Sequence, residues 1–587
     1  MADTTSNTRA TTPTGIPKVD TLDTSTIGAA VTRVNTQDTA GEKNKRKSSD
    51  NVVVSEKPAA DVANGAGDDS QYLTGRKLVL AHLGFLLAVF CFALDQTIVA
   101  TALPKLASQF NALDELTWVV SAYFLTQAGL MLTFGQILTI APSKWVYMTT
   151  IGLFEIGSLI CAVANSMNVL IFGRAFQGIG ASGMFISILT ILAQITKLET
   201  RPILFGSFGG VFALASVVGP LLGGAFTDHV SWRWCFYINL PFGAFSIAAV
   251  IFFLPGNPPP PNELYDGKTT LQKWLSLDWI GAFLSVSMIT CLLLPLQWGG
   301  VTRPWNDKVV IALFAVFGVL FIAFISWEFF KRKGAMMPLA LFKRRTQVGA
   351  GIAMFFMMMS FLSATYYLPF FYQAKGRTAS QSGIDIIPFM LSAVVASFAS
   401  GAYVNVKGHY LSMLIVGPMI AAVGAGLLFT IDEHTSNPKL IGYQIIFGFG
   451  LGIAFQLPVM AIQAEYADTP ELIPQASSLL TFLQLLGGVV GIAIAGTIFN
   501  NQLVKELAAN DTQSVLTPEM LQAVKQSVTV IFQLDPTVRD LVVHSYVKAL
   551  DYTFIYSVPT SALAGFAAMI VKNWNLKERG AAAGVAV

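Results

Sequence analysis

Charge is what this chain has least of. Only 12% of its 587 residues are Asp, Glu, Lys or Arg, against 53% hydrophobic, and the formal net charge is +3. Charges this sparse and this balanced make no basic field for nucleic acid. The apolar share exceeds what a water-soluble core absorbs. Histidine (5) and cysteine (4) are also scarce. With no His-rich cluster, phosphate loop or nucleophile elbow, neither an enzyme nor a metal or cofactor site is expected. Cys91, Cys161, Cys235 and Cys291 lie in or beside apolar runs with no CxxC pair, so they read as small hydrophobes. No short apolar stretch follows a basic terminus, so no cleavable signal peptide is expected. Residues 1–75 are rich in Thr, Ser, Asp, Asn and Lys and carry too little apolar surface to order themselves.

Long apolar runs are what the chain has in abundance. A helix crossing about 30 Å of hydrocarbon needs roughly 20 apolar residues, because its backbone must satisfy its own hydrogen bonds there. Fourteen such spans are expected, near 78–102, 117–140, 145–164, 168–195, 203–225, 234–254, 277–297, 308–328, 348–371, 384–404, 411–430, 440–462, 475–499 and 553–571. An even number puts both termini on one side. Seventeen Lys or Arg fall in one set of loops and tail ends, including Arg76, Arg201, Lys331 to Lys333 and Lys343 to Arg345, and seven in the opposite set. The positive-inside rule therefore places both termini in the cytoplasm.

The expected organisation is a disordered tail 1–75, a bundle 76–256, a linker with two further spans 257–345, a second bundle 346–574 and a tail 575–587. Pro258 to Pro261 stiffen the linker. The long outer loop 500–552 holds Asn510-Asp511-Thr512, a glycosylation acceptor pattern. It also has a helical apolar rhythm from Met520 to Ile531, suited to lying on the membrane or capping an exit.

Ionisable residues inside spans cost several kcal/mol unless they face a cavity or a partner. Asp95 lies about 13 Å and Arg174 about 9 Å below the outer face, close enough in depth to meet across a cavity. An acid beside a fixed cation in a partly wet cleft can load and release a proton as the cleft opens either way. A structural ion pair joining two helices is the alternative. Glu155, midway along the third span, is a second candidate proton carrier, or a carboxyl hydrogen-bonded between helices. Tyr123, Gln127, Gln177, Gln194, Gln456, Gln463 and Gln484 can orient a lipophilic ligand or join helices. The run Met354 to Phe361, with Tyr366 and Tyr367, reads as lipid-facing filler or as the soft wall of a promiscuous site. Glycine clusters at Gly206 to Gly210, Gly219 to Gly224, Gly448 to Gly452 and Gly487 to Gly491 suit close, sliding helix contacts.

The first span reads Leu94-Asp95-Gln96-Thr97-Ile98-Val99 through Pro104, and the fourth reads Gly173-Arg174-Ala175-Phe176-Gln177-Gly178-Ile179-Gly180. The fifth carries Gly219-Pro220-x-x-Gly223-Gly224, with Ala215 where a first glycine would stand, and Ser231 to Pro241 (SWRWCFYINLP) follows. In these segments the chain resembles the fourteen-span drug:proton antiporters of the major facilitator superfamily, closest to fungal exporters of mycotoxins and drugs. The resemblance covers roughly 75–572.

It implies an all-α membrane protein of two six-helix bundles plus two extra helices, with substrate bound between the bundles and moved by rocking. It further implies proton-coupled export of lipophilic small molecules by a monomer, at the plasma membrane or, second, the vacuolar membrane. Asp95 would carry the proton and Arg174 tune it, while Gly219, Pro220, Gly223 and Gly224 form the antiporter motif. A transporter of basic amino acids or siderophores and a non-transporting receptor are the rival readings. In one place the chain departs from the family. The loop after the second span has Thr139, Pro142 and Ser143 where the family has an acid, a glycine and an arginine. Its usual ion-pair latch is therefore missing.

Overall fold

The computed structural model describes residues 72–110, 115–299, 303–510 and 528–579, with isolated positions between 511 and 527. Helices account for nearly all of it. The first group is α1 (Gly75–Phe110), α2 (Leu116–Ile137), α3 (Ser143–Ala162), α4 (Met167–Ile195), α5 (Arg201–His229), α6 (Trp234–Tyr237) and α7 (Asn239–Phe253). Next come the short α8 (Thr270–Leu275), then α9 (Trp279–Trp298) and α10 (Lys308–Lys331). The last group is α11 (Arg345–Ala374), α12 (Ala379–Asp385), α13 (Ile387–Lys407), α14 (Leu411–Leu428), α15 (Asn437–Ala454), α16 (Leu457–Glu465), α17 (Ile473–Asn510), α18 (Pro536–Ile555) and α19 (Ser557–Ala568).

Polar residues set the boundaries between apolar runs. Ser166 caps α4 by accepting from the Val169 N–H, Asp278 caps α9 through Gly281, and Asp307 caps α10 through Val309. Thr269 with Gln272, and Thr378 with Gln381, close reciprocal capping boxes. Gly408, at φ 78°, ends α13 in the left-handed region.

Within the first group α1 packs on α5 and α7, and α4 on α2 and α3. Within the last group α11 packs on α17 and α19, and α15 on α13 and α14. Two seams join the groups, α5 against α13 and α2 against α17. The pair α9 and α10 attaches through α9 to α2. Only 11% of the most apolar stretch of α10 is buried, against 83% for α4, so α10 presents its surface to lipid and α4 forms the core of its group.

Thirteen helical stretches among the described residues are long and apolar enough to cross a membrane. The fourteenth expected span, near 553–571, falls on the end of α18 and on α19. Helix begins at Pro536, ahead of the expected start near 553, carries Arg539, Asp540, Lys548 and Asp551, and is interrupted only at Tyr556 before the 12-residue α19. The loop expected over 500–552 is largely helical as well. α17 continues through Asn510, with Phe499, Leu503 and Leu507 at four-residue spacing buried against Val542 and Tyr546 of α18. Hydropathy registers the membrane-buried part of a helix and misses an amphipathic extension that a partner helix covers. From the Met520 to Ile531 rhythm, Val524, Val528 and Ile531 are buried in a cluster with Phe371 and Leu550, so these side chains pack on the protein. The remaining residues of that rhythm other than Met520, and residues 1–71, lie outside the described residues.

Candidate functional site

Asp95 and Arg174 meet. Arg174 Nη1 donates to Asp95 Oδ2 at 2.7 Å and to Gln177 Oε1 at 2.6 Å, and Gln177 Nε2 donates to Asp95 Oδ1 at 2.7 Å. Their placement follows from helix geometry. Arg174 and Gln177 are three residues apart on α4 and share a face turned to α1. Arg174 Nε is held by the Val119 carbonyl of α2, and the guanidinium lies 4.4 Å from the centre of the Tyr123 ring. Gln177 also donates to Ser158 of α3, which accepts from Asn239 of α7. Five helices thus converge on one acid. The expected cavity between Asp95 and Arg174 is absent, because Asp95 is fully buried and Arg174 is 2% exposed. Ser158 and Asn239 escaped the sequence reading; their signal was polarity on otherwise apolar spans.

Glu155 sits one turn before Ser158 on α3, against Gly243 of α7, and neither of its carboxyl oxygens has a hydrogen-bond partner. The same bundle therefore holds one saturated acid and one unsaturated one.

A cavity of about 460 Å³ lies between the two groups of helices. From the first group it takes Phe92, Gln96, Thr97, Phe124, Gln127, Phe185 and Phe212. From the last it takes Met358, Phe361, Tyr366, Tyr367, Phe455, Gln484 and Asn500. The run Met354 to Phe361 turns inward, with Met354, Met357, Met358 and Met359 all buried, so the filler reading is corrected. Of the proposed ligand-orienting residues, Gln127 and Gln484 line this cavity. Tyr123 and Gln177 belong to the ion-pair network, Gln194 accepts from Ser143, and Gln456 is buried beside Phe455. Gln96 is a cavity residue the sequence reading passed over, although it adjoins Asp95.

The cavity extends toward the end that carries Leu103, Gly299 and Asn500, and the opposite end is sealed. There Arg201 of α5 donates to Gln463 of α16 at 3.1 Å, and Gln463 donates to the Leu189 carbonyl at 3.3 Å. Gln463 therefore ties the two groups together rather than facing a ligand. The end of α2, next to the divergent loop, joins the seal through Gln136 and Asp278. Gln136 donates to the Gly334 carbonyl and accepts from the Asp278 N–H, Asp278 accepts from Trp327 and Met336, and Gln475 of α17 donates to the Ala335 carbonyl. Segment 334–336, which follows the extra helix pair, thus bridges both groups.

In the segment expected to form an antiporter motif, Gly219 lets α5 approach Thr97 of α1, whose hydroxyl also donates to the Ala215 carbonyl. Pro220 lies inside α5, Gly223 accepts from Thr227, and a side chain at Gly224 would meet no atom within 4 Å. Of the other glycines of α5, Gly206 and Gly209 face Ser397 and Gly210 faces Phe398 across the seam to α13. At Asn510 the amide donates to Ser545 at 3.0 Å, and the other two positions of the acceptor tripeptide lie outside the described residues.

With that geometry in place, the sequence profile of the Major Facilitator Superfamily matches residues 85–492. The chain is 41% identical over 514 residues to the MFS-type transporter astH of Aspergillus oryzae, covering 87% of this chain and 89% of that one. It is 39% identical to the efflux pump aunC of Aspergillus niger, over 86% of this chain and 88% of that one. Among solved structures, the human organic anion transporter MFSD10 (TETRAN) superposes with a TM-score of 0.52 at 14% identity, over 84% of this chain and all of the other, a likeness of fold.

Proposed function

The chain belongs to the Major Facilitator Superfamily and is a multi-pass membrane protein; from that premise we propose that it is a proton-coupled exporter of lipophilic small molecules at the plasma membrane. Two of its relatives bear the names transporter and efflux pump. The observation that carries the coupling is on α1. Gln96 and Thr97 line the cavity, while the adjacent Asp95 faces Arg174 and Gln177 inside the bundle. One helix therefore touches ligand on one side and the buried acid on the other.

Protonating Asp95 removes the charge that holds Arg174 Nη1 and weakens the bond from Gln177. Arg174 keeps the Val119 carbonyl and Gln177 Oε1, so the cation is not left bare. α1 then loses its strongest tie to α4 and is free to shift against α5 at the Gly219 to Thr97 contact. A shift of α1 moves one wall of the cavity, and breaking the Arg201 to Gln463 tie opens the sealed end. Alternating access follows from those two events.

The test is uptake into inside-out vesicles of cells expressing the protein, with an imposed pH gradient. A lipophilic fluorescent dye should accumulate only while the gradient stands, and a protonophore should release it. Accumulation that survives collapse of the gradient would remove proton coupling.

A further inference from the structure

The wall of the cavity carries a chemical selection of its own. Among the described residues that line it, none is acidic or basic. The nearby acid is no substitute, since both oxygens of Asp95 are taken by Arg174 and Gln177 behind that wall. An ionised ligand entering here leaves water and finds no counter-charge. Neutral polar groups are provided for. Gln127 is 1% exposed and lines the cavity, yet its Oε1 has no hydrogen-bond partner. On the facing α17, the Gln484 amide nitrogen contacts the Met358 thioether at 3.8 Å, a weak acceptor. The carbonyl oxygen calls for a donor and the amide for an acceptor. One pair of aromatic faces in the wall is taken up by stacking, Phe92 on Phe185, and Phe361 tilts against Phe455 at 5.3 Å. At about 460 Å³ the space lies in the range that holds drug-sized molecules.

We propose that the ligand of this cavity is an uncharged amphipathic molecule with at least one hydroxyl or N–H donor and one carbonyl or ether acceptor, and that permanent cations and carboxylates are rejected. This deepens the export reading and rests on it only for the direction of movement. Substrate and proton then occupy separate places, the cavity and the buried acid, and do not compete for one carboxylate.

Three probes sharing a dihydroxyanthraquinone ring test this, with a hydroxymethyl, a carboxylate or a trimethylammoniomethyl substituent. Equilibrium binding to the full-length protein in nanodiscs should favour the hydroxymethyl probe at least tenfold over either ionised one. Gln127→Leu should weaken the neutral probe by about tenfold. Gln484→Glu places a carboxylate in the cavity and should reverse the order of the neutral and trimethylammonium probes. An ionised probe binding as tightly as the neutral one to the wild type, no binding by any of the three, or an unmoved probe ratio in Gln484→Glu would each overturn the assignment. The ratio is measured on one sample, so a poorly folding variant cannot imitate the result. Binding needs no gradient. Neutral-selective binding without gradient-driven export would sink the transport reading and spare this one, and export with a preference for the cation would do the reverse.

Discussion

The two groups of helices share an architecture and differ in what they bury. In the first, α1, α3 and α4 bring Asp95, Glu155 and Arg174 into the interior, and Ser158, Gln177 and Asn239 complete the network. In the last group, α14 has no charged residue and α17 has none before Lys505. α11, α13 and α15 carry theirs only near their ends. Its interior polar contacts are neutral, such as Ser360 with Thr560 at 2.6 Å and Gln444 with Tyr372 at 2.5 Å. Its buried acids are Glu465, which accepts from Thr346 and Trp574, both at 2.8 Å, and Asp551 of α18, which accepts from Lys548 at 3.4 Å. Elsewhere the group relies on close approach: a Cβ at Gly491 would lie 2.6 Å from the Met359 Cα, and one at Gly452 2.6 Å from the Ala393 Cα. The acid that adjoins the cavity wall, Asp95, therefore belongs to the first group. The last is a tightly packed body that supplies the opposite wall of the cavity.

The largest effect should come from breaking the charged interior. Asp95→Asn leaves Arg174 buried without its counter-ion, a change that costs about 3–5 kcal/mol when a buried pair is broken, so both yield and efflux should fall. The double variant Asp95→Asn/Arg174→Gln removes the bare cation. Its yield, read by fluorescence-detected size exclusion, should recover while gradient-driven efflux in proteoliposomes stays abolished. Recovery of efflux with yield would make the pair a structural tie. Glu155 then becomes the carrier, and Glu155→Gln is the variant to measure.

The contrasting break is Gly491→Val in the packed group. Overpacking of this kind costs about 1–3 kcal/mol, so thermal stability should drop, while the pH profile of the surviving transport keeps its shape. A shifted profile would show that the last group shares in coupling. Gln463→Leu, which cuts the tie between groups, should be of comparable size and act on access to the cavity. Losing a hydrogen bond from a charged donor, worth about 1.5–3 kcal/mol, should open the sealed end and reduce labelling of Thr365→Cys by an impermeant thiol reagent from the cavity's open side. Unchanged labelling would place the seal elsewhere. Smallest of all is Asn510→Gln, expected to leave efflux within about twofold because the site lies beyond the membrane-crossing part of α17. If glycan is attached there, the variant runs faster on a gel, and a cytoplasmic location for a tag at this position would overturn the topology.

The spans were legible because hydrocarbon demands about 20 apolar residues per crossing, whatever the neighbours do. Asp95 and Arg174 were legible for the same reason, since a charge inside such a run needs a purpose. Less legible were elements whose burial depends on a partner: the extension of α17 over Leu503 and Leu507, and α18 with its Arg539 and Asp551. Of the amides, periodicity could not say which would face ligand, because one side chain on an apolar helix satisfies itself equally well in a cavity, a network or a seam. Gln127, Gln177 and Gln463 went one to each.

Sequence alone therefore determined that this chain crosses a membrane many times, that Asp95, Glu155 and Arg174 lie inside spans of the first group, and that its loop after α2 carries Thr139, Pro142 and Ser143. The first two follow from the local cost of placing a residue in hydrocarbon. Tertiary structure decided that Asp95 is saturated and Glu155 is not, that Gln136 and Gln475 hold segment 334–336 from both groups, and that the cavity wall is uncharged among the described residues. Those outcomes depend on which helix faces which, and hydrogen-bond partners far apart in the chain are fixed only when the helices pack.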